Sequence, residues 1–120
     1  MANIMTVDDT ATMRQMISFT LSSVGHHVVQ AVNGEEALKL AQQGKLDLVI
    51  ADVNMPVMDG ISLIKSLRQL PEYRFTPILM LTTESQESRR QEGKVAGATG
   101  WIVKPFNPEQ LINVVNKVLG

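Results

Sequence analysis

"LDLVIADVNMPVMDG", residues 46–60, decides how the chain is read. Its apolar run from Leu48 to Ala51 has the length of a buried β-strand and ends directly on Asp52. Asn54, Met55-Pro56 and Asp59-Gly60 follow, so the chain turns away just behind the acid. A carboxylate at the end of a buried strand needs a reason, because an uncompensated buried charge is costly.

Four more short apolar runs flank this one, at 4–7, 28–31, 78–81 and 101–103. Helical periodicity fills the gaps. Met13, Met16, Ile17, Leu21 and Val24 share one face of a first helix that Gly25 stops. Asn33 caps a second, with Glu35 and Glu36 where the helix dipole favours acids and Gly44 at its end. Ile61, Leu63, Ile64 and Leu67 mark a third, between Gly60 and Pro71. The fourth, near 86–96, is mostly polar, carries Gly93 inside, and has little apolar face beyond Val95 and Ala96. It reads equally as a solvated helix or as an element kept marginal so that it can move. Asn107-Pro108-Glu109-Gln110 supplies a cap, a first-turn proline and a capping-box partner for the last helix, striped by Leu111, Ile112, Val115, Val118 and Leu119.

Five βα units in strict alternation predict a parallel sheet with helices on both faces. The second run, preceded by His26 and His27 and holding Gln30, suits one edge, and the short fifth run before Lys104-Pro105 suits the other. With right-handed crossovers the expected strand order is 2-1-3-4-5, a doubly wound (βα)5 flavodoxin-like three-layer sandwich. His26 and His27 fall in the turn before the edge strand and are given no chemistry.

Composition narrows the function. The chain has 120 residues, 44% hydrophobic content and no cysteine, so one domain over 1–120 with an unstapled core is expected. Disulfides, thiolate metal sites and thiol nucleophiles are excluded. Net charge is −1, which argues against a general nucleic-acid or membrane surface. No apolar run approaches a membrane span, and the first residues lack the pattern of a secretory leader. A cytoplasmic location is the expectation.

In this sheet, ligands bind at the carboxyl ends of the strands beside the topological switch. Those ends present Asp8-Asp9, Asp52, Thr82-Thr83 and Lys104-Pro105. Each alone is weak: an Asp-Asp pair is more often a helix cap, and a lysine before proline is usually solvated. Four on one sheet edge are hard to treat as accident. Like charges 4 Å apart at an effective dielectric of 20 repel by about 4 kcal/mol per pair, which raised pKa values or a cation relieves. Carboxylates with a backbone carbonyl make the hard-oxygen site that Mg²⁺ prefers. With Lys104 and the Thr82 hydroxyl beside them, they suit phosphoryl transfer, with Asp52 as nucleophile.

The ordered set Val7-Asp8-Asp9, Asp52, Asn54-Met55-Pro56, Asp59-Gly60, Leu81-Thr82 and Lys104-Pro105-Phe106 resembles the receiver domain of two-component response regulators along the whole chain. With Thr12-Met13-Arg14 opening helix 1 and no output domain expected, it is similar to the stand-alone, CheY-like chemotaxis members. The resemblance implies that Asp52 accepts a phosphoryl group from a sensor kinase phosphohistidine. It implies that Asp9, Asp52 and the Asn54 carbonyl hold Mg²⁺ (or Mn²⁺ in its place), with Asp8 acting through water. Thr82 and Lys104 then contact the phosphoryl group, Trp101 takes part in a switch with Thr82, and Asn54 and Glu84 tune dephosphorylation. A cis Lys104-Pro105 bond is implied as well. The implied partners are a CheA-type histidine kinase and a flagellar motor switch protein. The latter would dock on the face of helix 4, strand 5 and helix 5 with Arg89, Arg90 and Lys94, and the receiver would act as a monomer.

Two positions depart from the pattern. Trp101 stands where Tyr or Phe is usual, and Thr83 where a small residue is common. Other functions remain open at this level: a phosphorelay intermediate or phosphate sink, a haloacid-dehalogenase-type phosphatase, a flavodoxin, or a non-phosphorylated scaffold. The phosphatase would want a second acid where Asn54 stands, and a flavin phosphate would be repelled by Asp8-Asp9.

Overall fold

All five apolar runs are strands of one parallel sheet in the order β2-β1-β3-β4-β5. The computed structural model describes residues 2–55, 57–83 and 87–120. The elements are β1 (Asn3–Val7), α1 (Ala11–Ser22), β2 (His27–Ala31), α2 (Gly34–Gln43), β3 (Leu48–Asp52), α3 (Gly60–Gln69), a 3₁₀ turn (Pro71–Tyr73), β4 (Ile78–Thr83), α4 (Glu87–Ala96), β5 (Gly100–Lys104) and α5 (Pro108–Leu119).

Central β3 is buried at every residue and β1 at all but its first, as both-faced burial of parallel strands requires. Edge strand β2 is buried only at Ala31. One face of the sheet, with Met5, Val49, Ala51, Ile78 and Met80, packs on Ala37, Ala41, Ile61, Ile64 and Leu67 of α2 and α3. The other, with Ile4, Leu48, Ile50, Leu79, Leu81 and Ile102, packs on Ile17, Leu21, Leu111 and Val115 of α1 and α5.

The helix ends follow their caps. The Asn33 side chain accepts the Glu36 N–H, and Asn107 with Gln110 forms the full capping box. Asp59 caps α3 by accepting the Ser62 N–H at 2.8 Å. The Tyr73 hydroxyl lies 2.6 Å from the carbonyl oxygens of both Ala41 and Gly44, which serves the C-terminal end of α2.

Two helix-face expectations need correction, and a third position gains an explanation. Val24 is not on the buried face of α1: the helix ends at Ser22, Gly25 takes the left-handed conformation at φ 97°, and Val24 is half exposed in the turn between them. Val95 is almost fully exposed and gives α4 no apolar face. Gly93 is buried, and its backbone sits so close to the Met80 thioether that a Cβ there would collide with the Met80 methyl group. The glycine is a notch that lets α4 settle on β4.

At the other end of α3, the Arg68 guanidinium sews the amino-terminal ends of the last two strands together. It donates to the carbonyls of Tyr73 (2.6 Å), Thr76 (2.7 Å) and Gly97 (2.8 Å from Nη2, 3.1 Å from Nε). Gly97, at φ 114°, ends α4. No carboxylate pairs with Arg68 among the described residues, and burial holds its pKa below the ordinary arginine value.

Candidate functional site

Sheet register assembles the site. Val7 pairs with Ala51, so Asp8, one residue on, lies level with Asp52. Asp52 pairs with Leu81 and Thr83 with Lys104, which brings Thr82 and Lys104 to the same edge. Asp52, Thr83 and Lys104 are the last residues of their strands.

Ligand oxygens of Asp8, Asp9 and Asp52 lie within 4.8 Å of one another. Asp8 and Asp52 are buried, and Asp9 is exposed at the mouth. Lys104 Nζ is 3.0 Å from Asp52 Oδ2 and 4.0 Å from Asp8 Oδ2. The lysine therefore pairs with the acid that ends β3. Burial pushes the Asp8 carboxyl above the usual carboxylate range and Asp52 adds to this, against the Thr10 N–H and Lys104.

Each acid is held by its own loop. Asp8 Oδ1 accepts the Thr10 N–H at 2.8 Å, so part of Asp8 does serve the entry to α1. Its carbonyl accepts from Arg14 Nη1 at 2.6 Å, which ties the acid pair to the first turn of that helix. Asp52 Oδ1 accepts the Asn54 N–H at 3.3 Å, and the Asn54 side chain faces solvent. The Asp52 main chain is pinned by Gly60, whose N–H donates to Val53 O at 3.1 Å; a Cβ at Gly60 would collide with the Asp52 carbonyl oxygen. Val57, in the same loop, sits at φ 71°, a strained conformation for a β-branched residue.

The donor set fits a hard divalent cation. One ammonium against three carboxylates leaves two negative charges uncompensated. Asp8 Oδ2 is buried without a hydrogen-bond partner among the described residues, as is the Thr82 hydroxyl. Such unpartnered buried oxygens are expensive unless something else meets them. A cation at the acids and an anion at the hydroxyl would do so.

Thr82 is fully buried, and Thr83 beside it is half-buried. Trp101 is 38% exposed, with the Arg90 guanidinium 5.3 Å from its ring centroid. Lys104-Pro105 is cis. Arg89 is 3.0 Å from Asp59 Oδ2, and Lys94 is exposed. Glu84 and Pro56 lie outside the described residues. His26, far from this edge, accepts the Ala2 N–H at Nδ1.

The structure thus brings together Asp8, Asp9, Asp52, Asn54, Thr82 and Lys104, and leaves Trp101 turned outward. The roles of Arg14 and Gly60 were not legible in the sequence. Both act on backbone carbonyls, which no side-chain pattern announces.

Residues 4–116 match the family described as Response regulator receiver domain. The chain is 39% identical over 119 residues to the Chemotaxis protein CheY homolog of Campylobacter jejuni, covering 98% of this chain and 92% of that protein. It is 35% identical over 119 residues to Protein PilH of Pseudomonas aeruginosa, covering 99% and 98%. It spans 56% of the length of a longer relative, the Probable transcriptional regulator ycf29 of Porphyra purpurea, at 33% identity and with 98% of this chain covered. Among solved structures, Vibrio cholerae chemotaxis protein CheY4 superposes with a TM-score of 0.94 at 52% identity, covering 98% of both chains. The receiver domain of sensor histidine kinase PA1611 from Pseudomonas aeruginosa superposes with a TM-score of 0.91 at 27% identity, covering 99% and 98%; it has a magnesium ion coordinated in its active-site cleft.

Proposed function

The chain belongs to the response regulator receiver family and is CheY-like, and on that premise we propose that it is switched by transfer of a phosphoryl group from a kinase phosphohistidine to Asp52. The observation that carries the reading is the placement of Asp52: buried at the end of β3, 3.0 Å from Lys104 and clustered with two further carboxylates.

The transfer is a displacement at phosphorus. An Asp52 oxygen bonds to phosphorus as the bond to the histidine nitrogen breaks, and that nitrogen keeps the electron pair. Little covalent assistance is needed; positioning and neutralisation of the phosphoryl oxygens dominate. Lys104 trades its contact with Asp52 for one with a phosphoryl oxygen. The unpartnered Thr82 hydroxyl donates to another. Asp9 and Asp52, with the Asn54 carbonyl, would hold Mg²⁺ or Mn²⁺, and Asp8 would act through water. When bound, the ion supplies positive charge that offsets the acids and draws the phosphoryl oxygens. Asn54, at the mouth, and Glu84 would set how fast water removes the group.

The kinase is of the CheA type, and the output is the flagellar motor switch, reached through α4, β5 and α5. Similarity to two proteins named for chemotaxis over nearly their full lengths favours this over a phosphorelay or phosphate-sink role. The phosphatase reading lacks an acid at Asn54.

Intact mass after incubation with Mg²⁺ and a small acyl-phosphate donor tests the reading. One labile phosphoryl group is expected on the wild-type chain and none on Asp52→Asn. Uptake by the variant would move the acceptor elsewhere; no uptake by either would leave a receiver-shaped scaffold.

A further inference from the structure

Helix α4 is attached to the molecule in an unusual way. Among its described residues only Gly93 is buried, so hardly any apolar side chain anchors it. Polar tethers take over. Successive residues on a helix point about 100° apart, and the neighbours Arg89 and Arg90 reach different elements. Arg89 Nη2 meets Asp59 Oδ2 at 3.0 Å, and Arg90 lies over the ring of Trp101. Both arginines are half-buried, and the Nε of each has no hydrogen-bond partner among the described residues. Arg90 is therefore held chiefly by the ring at its far end, whereas Arg89 is held by Asp59 and, more loosely, by Glu92 of its own helix at 3.3 Å.

Asp59 is no bystander. Its other oxygen caps α3, and the next residue, Gly60, rests against the carbonyl of Asp52. A contiguous line thus runs from the acceptor main chain through Gly60 and Asp59 to Arg89, across α4 to Arg90, and onto Trp101. It goes round the outside of the sheet and does not touch Thr82.

We propose that Arg89 and Arg90 make α4 a coupling bar, a second route by which events at Asp52 reach Trp101, independent of the Thr82 hydroxyl. The inference rests on the phosphoacceptor reading above. A main-chain shift at Asp52 cannot be absorbed at Gly60, where there is no free space, so it displaces the α3 cap. The ion pair then moves the amino-terminal half of α4 with it, while Gly97 stays clamped by Arg68. Arg89 is a positioning residue in this scheme and touches no reacting atom. A mutant cycle measures the coupling directly.

The experiment reads Trp101 emission before and after Mg²⁺ with a small acyl-phosphate donor, alongside intact mass, in wild type, Thr82→Ala, Arg89→Met and the double variant. Phosphoryl uptake is expected in wild type and Arg89→Met at the same rate, and more slowly in the two variants that lack the Thr82 hydroxyl, so emission is compared at equal phosphoryl mass. Thr82→Ala keeps part of the emission change, Arg89→Met alone lowers it at least twofold, and the double variant abolishes it. Arg89→Lys restores part of it. Raising NaCl from about 0.05 M to about 0.5 M, which shortens screening from over 10 Å to a few ångströms, shrinks the change in Thr82→Ala and leaves Arg89→Met unaffected. A full-sized response in Arg89→Met, or equal responses in Thr82→Ala and the double variant, would overturn the coupling bar while mass still supports the acceptor. Absence of phosphoryl mass in wild type would overturn both.

Discussion

Gly60 sets the tightest tolerance around Asp52. Its Cα faces the Asp52 carbonyl with no space between, and the opposing atoms are main chain that cannot rotate away. Gly60→Ala is expected to cost about 2–3 kcal/mol, the upper range for overpacking, and to slow phosphoryl uptake; denaturant unfolding and time-resolved mass check the two effects. Sequence reading caught the residues that carry charge or hydroxyl at the strand ends, because Asp8, Asp52, Thr82 and Lys104 each interrupt an apolar run. It named Arg14 only within the motif that opens helix 1, without its partner, the Asp8 carbonyl, and it read Asp59-Gly60 as a turn and a family motif without its packing on Asp52. A residue that serves main-chain atoms leaves no periodic trace. Val57 is similar: nothing in its identity forecasts φ 71°, and only the backbone reveals it.

Elements were legible to the extent that burial is carried by large apolar side chains. The strands and the stripe of α5 satisfy that condition, whereas α4 does not. Its inward contact is made by the absence of a side chain at Gly93 and by the reach of Met80 from β4. Gly93→Ala should gain about 1 kcal/mol of helix propensity and lose a comparable amount to repacking of Met80, for little net change. In a Met80→Val background, where the obstructing thioether is gone, the same substitution should stabilise by about 1 kcal/mol; thermal unfolding of the four proteins checks this. The link between α3 and α4 is titratable. Burial pushes the Asp59 carboxyl up, but the Ser62 N–H and Arg89 outweigh it and hold the folded value below the ordinary one. A depressed carboxyl stabilises the fold above its unfolded pKa of about 3.9, and that contribution disappears as pH falls through the lower folded value. The stability advantage of wild type over Asp59→Asn should be constant above about pH 5 and shrink below about pH 4, as measured by chemical denaturation at each pH.

Across the whole molecule, stability and chemistry are concentrated at opposite ends of one sheet. Arg68 binds the carbonyls of the connections that enter β4 and β5, whereas the acids and Lys104 sit where the strands leave. Arg68→Met should lower stability by about 3 kcal/mol through the carbonyls it strands, or roughly 12 °C in melting temperature for a domain this size. It should leave Mg²⁺ affinity within twofold of wild type, as calorimetry of the folded protein would show. Strand order has one more consequence. Lys104 meets Asp52 across 52 residues of chain, and the strand it ends is the last to be made. While the protein is still being translated, β1 and β3 have emerged and carry their acids, but the ammonium that belongs beside them is not yet attached to anything. A chain that stops short of β5 therefore holds Asp8, Asp9 and Asp52 without the ammonium that meets them in the folded domain. If Asp52 is the phosphoacceptor, a chain cut before β5 should take up no phosphoryl group, because Lys104 would be missing from beside the acids.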